Sequence, residues 1–406
     1  MRRSSASRAA LRFVLLLGAV SLSADLVYEG SRAILGPYLA ALGAGAFAVA
    51  TVTGCGELLG YALRLVSGRL SDRTRRPWPI TTLGYAVQMA AVPLLALAGS
   101  WPVAAALIVL ERAGKAMRTP PRDVMLSHAA SRVGYGWAFG VHEALDQAGA
   151  LLGPLAVAAI LAVREGAFRL AFAALAVPAA LTLALLALAR LVHPRPEDRE
   201  VAPTHLDTGG LPRAFWVYLG AAALVAAGSA DFPLLAFHLE RGGVLGATWI
   251  PVLYAVAMGA SGAGALAVGR LFDRLGIRIL VPLTVATAAY APLAFLGGPW
   301  AATVGAALWG LGMGVHESVV PAAVAPMVRP ERRASAYGIF TAGYGLAWFL
   351  GSAAMGALYG ASVTLAAAFA VALELAAVPL ILAVRVPARH AGGSTPSRQA
   401  ERRRSP

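Results

Sequence analysis

Apolar stretches long enough to cross about 30 Å of hydrocarbon, each needing about 20 residues as a helix, recur along almost the whole of this sequence. Nothing of comparable length remains for a soluble domain. The expected spans are 11–41, 45–67, 78–99, 101–121, 135–163, 167–191, 214–239, 247–269, 278–297, 300–325, 334–359 and 362–384, so the fold is expected to be an all-α membrane protein of 12 transmembrane helices. Composition agrees: 58% of the 406 residues are hydrophobic and 13% charged, against about a quarter charged in an ordinary soluble domain. The one cysteine, Cys55, lies inside an apolar stretch, which excludes an intrachain disulfide and any Cys-based metal site.

The formal net charge of +14 does not describe a nucleic-acid-binding face, because the arginines are confined to particular loops. Arg2, Arg3, Arg8 and Arg12 open the chain; Arg69, Arg73, Arg75 and Arg76 follow the second span, and Arg122 and Arg132 the fourth. Arg190, Arg195, Arg199 and Arg213 surround the middle segment; Arg270, Arg274 and Arg278 follow the eighth span, and Arg329, Arg332 and Arg333 the tenth. The opposite loops 98–102, 297–300 and 360–362 carry no charge, so the positive-inside rule places both termini in the cytoplasm. The start imitates a secretory signal peptide, with an Arg-rich end, an apolar run and a small Leu22-Ser23-Ala24 site, but the apolar pattern continues through Ala40 and reads as structure. Residues 193–212, rich in proline and charge, read as a cytoplasmic linker between a bundle at 1–192 and another at 213–384; residues 385–406 read as a disordered basic cytoplasmic tail.

The two bundles repeat each other. Gly68-Arg69-Leu70-Ser71-Asp72-Arg73 after span two matches Gly269-Arg270-Leu271-Phe272-Asp273-Arg274 after span eight, 201 residues on. Ser23-Ala24-Asp25 in span one matches Ser229-Ala230-Asp231 in span seven, and Gly153 in span five matches Gly351 in span eleven. Three matches at nearly one period, each in the corresponding span, indicate a duplicated six-helix unit and hence two pseudo-symmetric six-helix bundles.

With those residues in place, the chain resembles the major facilitator superfamily over essentially the whole membrane region. The family's loop signature, Gly-x-Leu-small-Asp-Arg-x-Gly-Arg-Arg/Lys, appears at 68–76, with Thr74-Arg75 where Thr/Leu-Gly is usual; the second copy keeps the glycine, as Gly276. The resemblance implies a gating role for Gly68, Asp72, Arg73, Gly269, Asp273 and Arg274, the aspartate bridging the halves at the cytoplasmic face. Span five carries Gly140, Gly149 and Gly153-Pro154 in the family's antiporter-type spacing, although Val157-Ala158 stands where two glycines are usual. These glycines allow close helix contact and the proline bends the helix, which implies gating and favours export over import; ordinary small-residue packing is the alternative. The fourth-span arginine signature is looser, since in Glu111-Arg112-Ala113-Gly114-Lys115 the glycine follows the arginine by two residues rather than four. The segment Arg118-Thr119-Pro120-Pro121-Arg122-Asp123 is similar to that of an uncharacterised bacterial subgroup, which carries no substrate with it. The implied setting is a bacterial inner membrane.

A charge at the centre of a membrane helix costs about 2.5–3.5 kcal/mol on insertion scales, so such residues are functional candidates. Asp25, Glu29 and Arg32 share one face of span one at i, i+4, i+7; Glu111, Lys115 and Arg118 repeat that spacing in span four, and Lys115 is the only lysine. Span two carries Glu57 and Arg64, span five His142, Glu143 and Asp146. The second half offers Asp231, His316, Glu317 and the peripheral Glu374, so the first half is expected to carry the coupling and the second to contribute mostly shape. If spans one, four, seven and ten line the cavity, an acidic and a basic stripe face one path. Asp25 or Glu29 is then the expected proton site, with Glu57, Glu143 or Asp146 as relay members. Arg32, Glu111, Arg112, Lys115, Arg118, His142, Asp231, His316 and Glu317 are cavity or substrate candidates. Against this stands the reading that the charges form ion-paired polar cores, Glu29 with Arg32 or Glu111 with Lys115.

His142-Glu143-x-x-Asp146 lacks the second histidine of a zinc-protease helix, and no phosphate loop or catalytic triad is present, so no metal, cofactor or enzymatic activity is expected. The expected function is secondary active transport by alternating access, first as proton-coupled antiport exporting a small organic molecule, and second as proton-coupled uptake of a small, possibly anionic metabolite. A membrane hydrolase or a sensor is the alternative from another class. The partners expected are a small-molecule substrate, protons and the lipid bilayer, with no nucleic acid, and the chain is expected to be monomeric. The aromatic residues Tyr28, Trp309, Tyr344 and Trp348 are equally explained by packing.

Overall fold

A computed structural model describes residues 5–74, 77–194, 210–324, 327–328 and 333–384. Most of the expected linker and the whole tail lie outside the described residues, as do the side chains of Asp72, Arg73, Asp273 and Glu317, together with Gly68. Sixteen α-helices are described: α1 (Ser5–Arg32), α2 (Leu35–Ala41), α3 (Ala46–Thr74), α4 (Pro77–Leu94), α5 (Trp101–Val133), α6 (Tyr135–Val163), α7 (Phe168–Ala174), α8 (Ala176–Val192), α9 (Arg213–Gly228), α10 (Phe232–Arg241), α11 (Trp249–Leu275), α12 (Leu280–Ala288), α13 (Tyr290–Leu296), α14 (Pro299–Ala322), α15 (Arg333–Ala361) and α16 (Val363–Ala383). No strand occurs among the described residues.

Four passages are broken, and proline chemistry explains each break. A proline ring collides with the carbonyl four residues earlier and offers no N–H to it. Pro37, Pro178, Pro233 and Pro292 each stand in the first turn of the following helix, three or four residues beyond the start of the break that joins α1 to α2, α7 to α8, α9 to α10 and α12 to α13. Grouped across these breaks, the described helices fall into twelve helical segments in the expected order. Nine are long and apolar enough to cross a membrane among the described residues. The other three, α5, α14 and α15, are 33, 24 and 29 residues long, at about 1.5 Å per residue sufficient to cross. Charge dilutes the first, glycine and aromatic residues the other two. The fourth passage runs well past its expected end at 121, because Pro120 and Pro121 sit inside an unbroken helix.

The helices assemble as two bundles. Within the first, α1 packs on α6 and α8, and α5 on α3 and α4; within the second, α11 packs on α14, and α9 on α15 and α16. The bundles meet where α3 lies on α15, α6 on α11 and α2 on α10, so span two faces span eleven and span five faces span eight, as a twofold relation requires.

The duplication is visible at atomic detail. A Cβ added to Gly153 of α6 would stand 2.3 Å from the Leu26 carbonyl oxygen of α1, and one added to Gly351 of α15 would stand 2.2 Å from that of Ala227 in α9. Leu26 and Ala227 are separated by the same 201 residues as the loop signatures. Bulk at these positions forces the backbones apart, an overpacking penalty of about 1–3 kcal/mol. Gly153→Val should therefore lower the thermal unfolding midpoint of the detergent-purified protein, read by intrinsic tryptophan fluorescence, whereas Gly140→Val, with nothing within 4 Å, should not.

Candidate functional site

Between the bundles lie two adjoining lobes of one space, each of about 390 Å³, that share Asp25, Arg32, Lys115, Glu143, Asp146 and Met313 as lining. One lobe reaches to α11 through Met258 and Ser261. The other runs along α3 and α5 to Arg64 and Arg122 and meets α14 and α15 at His316 and Trp348. The expected stripe of Asp25, Glu29 and Arg32 lines it in full, because an i, i+4, i+7 spacing does put the three on one helix face.

The helix breaks build the upper wall. Arg32 ends α1, where the helix dipole favours a cation, and Asp231 is the N-cap of α10, accepting from the Phe232 N–H at 3.1 Å, where the dipole favours an anion. The Arg32 guanidinium donates to Asp231 across the two halves and also lies 3.4 Å from Glu57, which Arg112 holds at 3.0 Å. A second bridge crosses close by, the Tyr254 hydroxyl of α11 donating to Glu29 at 2.5 Å. Above these contacts α2 rests on α10, with Gly36 against the Pro233 carbonyl. Further close contacts, Gly54 on Ser352 and Gly356 on Ala50, tie α3 to α15 over the same half of the molecule. The space is thus shut at the end where α2 and α10 meet, and its lining extends towards the end where α1 begins.

Around the sides the polar groups are mostly satisfied by one another. Arg118, the largest buried charge, donates to Gln88 at 2.6 Å and to the Tyr85 hydroxyl at 2.9 Å, and lies 3.5 Å from Asp25. Gln88 in turn donates to Glu111 at 2.8 Å. Arg122 holds Asp123 at 2.8 Å and Ser21 at 3.0 Å, and the Ser21 hydroxyl meets His142 at 2.9 Å. Asp25 and Asp146 are close enough for their carboxyl groups to interact, and Asp146 Oδ1 has no hydrogen-bond partner. Lys115 forms no ion pair within 4 Å among the described residues; its ammonium sits 3.4 Å above the ring centre of Tyr28.

Several expectations are corrected. Asp231 is a buried latch to Arg32 and does not line the space; spans two, five, eight and eleven contribute to the lining instead of span seven. Glu111 turns to Gln88 and His142 to Ser21, so neither faces the cavity. The proposed pairs of Glu29 with Arg32 and Glu111 with Lys115 are not formed within 4 Å, since Tyr254 and Gln88 take those carboxylates. The second half does more than supply shape, because Asp231 and Tyr254 reach across to the first. Glu374, expected to be peripheral, lines neither lobe; it is buried between α16 and α12 and accepts from Thr287 at 3.0 Å. Arg112, Glu143 and His316 do line the space. Reading for charges alone missed Tyr85, Gln88 and Tyr254; a glutamine or tyrosine inside an apolar stretch is a weak signal that could have found them.

The sequence profile described as Major Facilitator Superfamily matches residues 17–319. An uncharacterized protein of Mycobacterium tuberculosis is 44% identical over 396 residues, covering 95% of this chain and 97% of its own length. An uncharacterized MFS-type transporter of Methanocaldococcus jannaschii is 35% identical over 140 residues, 34% of this chain and 35% of its own. Among solved structures, the nucleoside transporter NupG superposes with a TM-score of 0.70 at 14% identity, covering 92% of this chain and 98% of that one. A bacterial homolog of the human lysosomal transporter Spinster, inward-facing and unoccupied, gives 0.65 at 17% identity over 93% and 95%. A POT family transporter in complex with 5-aminolevulinic acid gives 0.73 at 13% identity over 92% and 95%.

Proposed function

The chain belongs to the major facilitator superfamily of membrane transporters, and from that premise we propose that it carries a small organic solute together with a proton, by alternating access, in the direction of uptake. The observation that carries this reading is Lys115, a cation with no ion pair among the described residues, placed on the lining beside the Asp25 and Asp146 carboxyls. Unpaired, its field serves the surrounding carboxylates. An anionic solute that takes over the ammonium removes that compensation, and the carboxyl pair then holds a proton in its place. Solute and proton therefore favour each other's binding, and by linkage the effect is reciprocal. Groups that bind together move together, and an inward proton gradient drives both into the cell. With both termini in the cytoplasm of a bacterial inner membrane, the closed end at α2 and α10 faces outward. The cycle then closes one end of the space while opening the other, the latch at Arg32 and the glycine contacts of α6 on α1 moving with the bundles.

Export in exchange for protons is the second reading, supported by the glycine spacing of α6. It requires solute and proton to compete for one site. The sign of proton flux separates the two. In proteoliposomes enclosing a pH-sensitive dye, an inward gradient of a transported solute should acidify the lumen; alkalinisation would establish exchange, and solute movement with no pH change would remove coupling altogether. In Asp25→Asn and in Asp146→Asn, accumulation driven by a pH gradient should fall about tenfold or more while solute counterflow persists. Undiminished pH-gradient dependence in both variants would take the proton away from this pair.

A further inference from the structure

We infer that the lobe between α3, α5 and α15 is a binding site for a small organic anion with a flat unsaturated body, its charge at Lys115 and Arg64 and its face along Tyr61 and Trp348. This rests on the transport reading above and adds the class of solute to it.

The charge argument comes first. Six basic and four acidic side chains line this lobe. Arg32 and Arg112 are held by Asp231 and Glu57, Arg118 by Gln88, Tyr85 and Asp25, and Arg122 by Asp123. Two cations remain without an ion pair among the described residues, Lys115 and Arg64, and the Arg64 Nε–H is buried with no acceptor. Both lean on ring faces, Lys115 on Tyr28 at 3.4 Å and Arg64 on Tyr61 at 5.6 Å from the centroid. A ring face compensates a cation only in part, and an ammonium with no anion costs more once the space closes and water leaves. An anionic ligand removes that cost, and Arg118, expected from the sequence to share the role, is already occupied.

Shape comes from the wall of rings that α14 and α15 form with Tyr61 of α3. His316 and Trp348 meet nearly edge to face at 6.0 Å, and Tyr61 and Tyr344 do so at 5.8 Å. The Trp348 indole N–H and His316 Nδ1 are buried on this wall with no partner. Ring faces with unpartnered nitrogens at their edges suit a planar body bearing a polar atom, and rings stack offset or edge-to-face with such a body. The volume of about 390 Å³ lies at the lower end of ligand pockets and limits the solute to a small one. Because the cations and Tyr61 belong to the first bundle and His316 and Trp348 to the second, one bound molecule touches both moving parts.

Three probes of nearly equal size separate the features: benzoate, flat and anionic; cyclohexanecarboxylate, anionic and puckered; benzamide, flat and neutral. Equilibrium binding to the detergent-purified full chain is measured by calorimetry, with no gradient imposed, so the result is independent of coupling. Benzoate should bind about tenfold or more tightly than either other probe, and Lys115→Gln should weaken it by a similar factor. Trp348→Leu should bring benzoate and cyclohexanecarboxylate to equal affinity while the preference over benzamide persists. Equal binding of benzoate and cyclohexanecarboxylate by the wild-type chain overturns the flat slot, equal binding of benzoate and benzamide overturns the anion site, and failure of benzoate to bind overturns both. Benzoate binding without any solute-driven pH change would instead leave this site standing and remove the proton coupling.

Discussion

Replacing Arg32 by methionine should abolish transport and lower the stability of the purified protein by about 3–5 kcal/mol, the range for removing one partner of a buried ion pair. Arg32 ends α1 and donates to Asp231, whose side chain has no exposure, so the substitution leaves that carboxylate buried beside Glu57 with its cation gone. Glu57 keeps Arg112 at 3.0 Å, which makes Asp231 the group that suffers. Asn at 231 retains an oxygen for the N-cap bond to Phe232 and carries no charge. Arg32→Met combined with Asp231→Asn should therefore regain most of the lost stability and none of the transport, because the latch between the halves is still missing. Thermal unfolding and solute counterflow on the four proteins of the double-mutant cycle read the two effects separately. A single variant as stable as the parent, or a double variant no better than the single, would show that the pair holds nothing together.

The sequence made some of this legible and hid the rest for identifiable reasons. Apolar runs and the repeated loops at 68–73 and 269–274 report the membrane solvent and the duplication directly, since both are properties of consecutive residues. The cost of a membrane charge likewise marks Asp25, Glu29, Arg32 and Lys115, and all four line the space. Which groups they meet is a tertiary matter. Arg32 and Asp231 are 199 residues apart and Glu29 and Tyr254 225 apart, so helical spacing could suggest only Glu29 with Arg32 and Glu111 with Lys115, which are not the pairs formed. Uncharged partners carry little insertion cost, which is why Gln88 and Tyr85 pass unnoticed although they satisfy Arg118. The helix breaks were within reach: Pro37 and Pro233 occur at corresponding places in the two halves, and their steric rule locates the ends that carry Arg32 and Asp231. Trp348 and Tyr61 could not be told from packing residues by type alone.

One turn above the latch, Gly36 makes a stronger prediction about the cycle itself. A Cβ there would lie 2.0 Å from the Pro233 carbonyl oxygen and 2.7 Å from the Phe237 nitrogen, both backbone atoms that cannot rotate aside. Gly36→Leu can be accommodated only if α2 and α10 separate, and alternating access requires those helices to meet and part once in every cycle. The variant should fold, hold the α2 and α10 end open, and lose transport. Spin labels at Ala41→Cys and Gly242→Cys, both exposed at the ends of these helices, report the separation once Cys55 is changed to serine. Their distance should lengthen by several ångströms and stay long whether or not solute is present, while the parent moves between a short and a long distance. Arg32→Met should lengthen it too, but leave it responsive, because that change removes an attraction and inserts no wedge. The comparison distinguishes a missing latch from a blocked door. An unchanged distance with transport intact in Gly36→Leu would mean that α2 and α10 are not the moving seal.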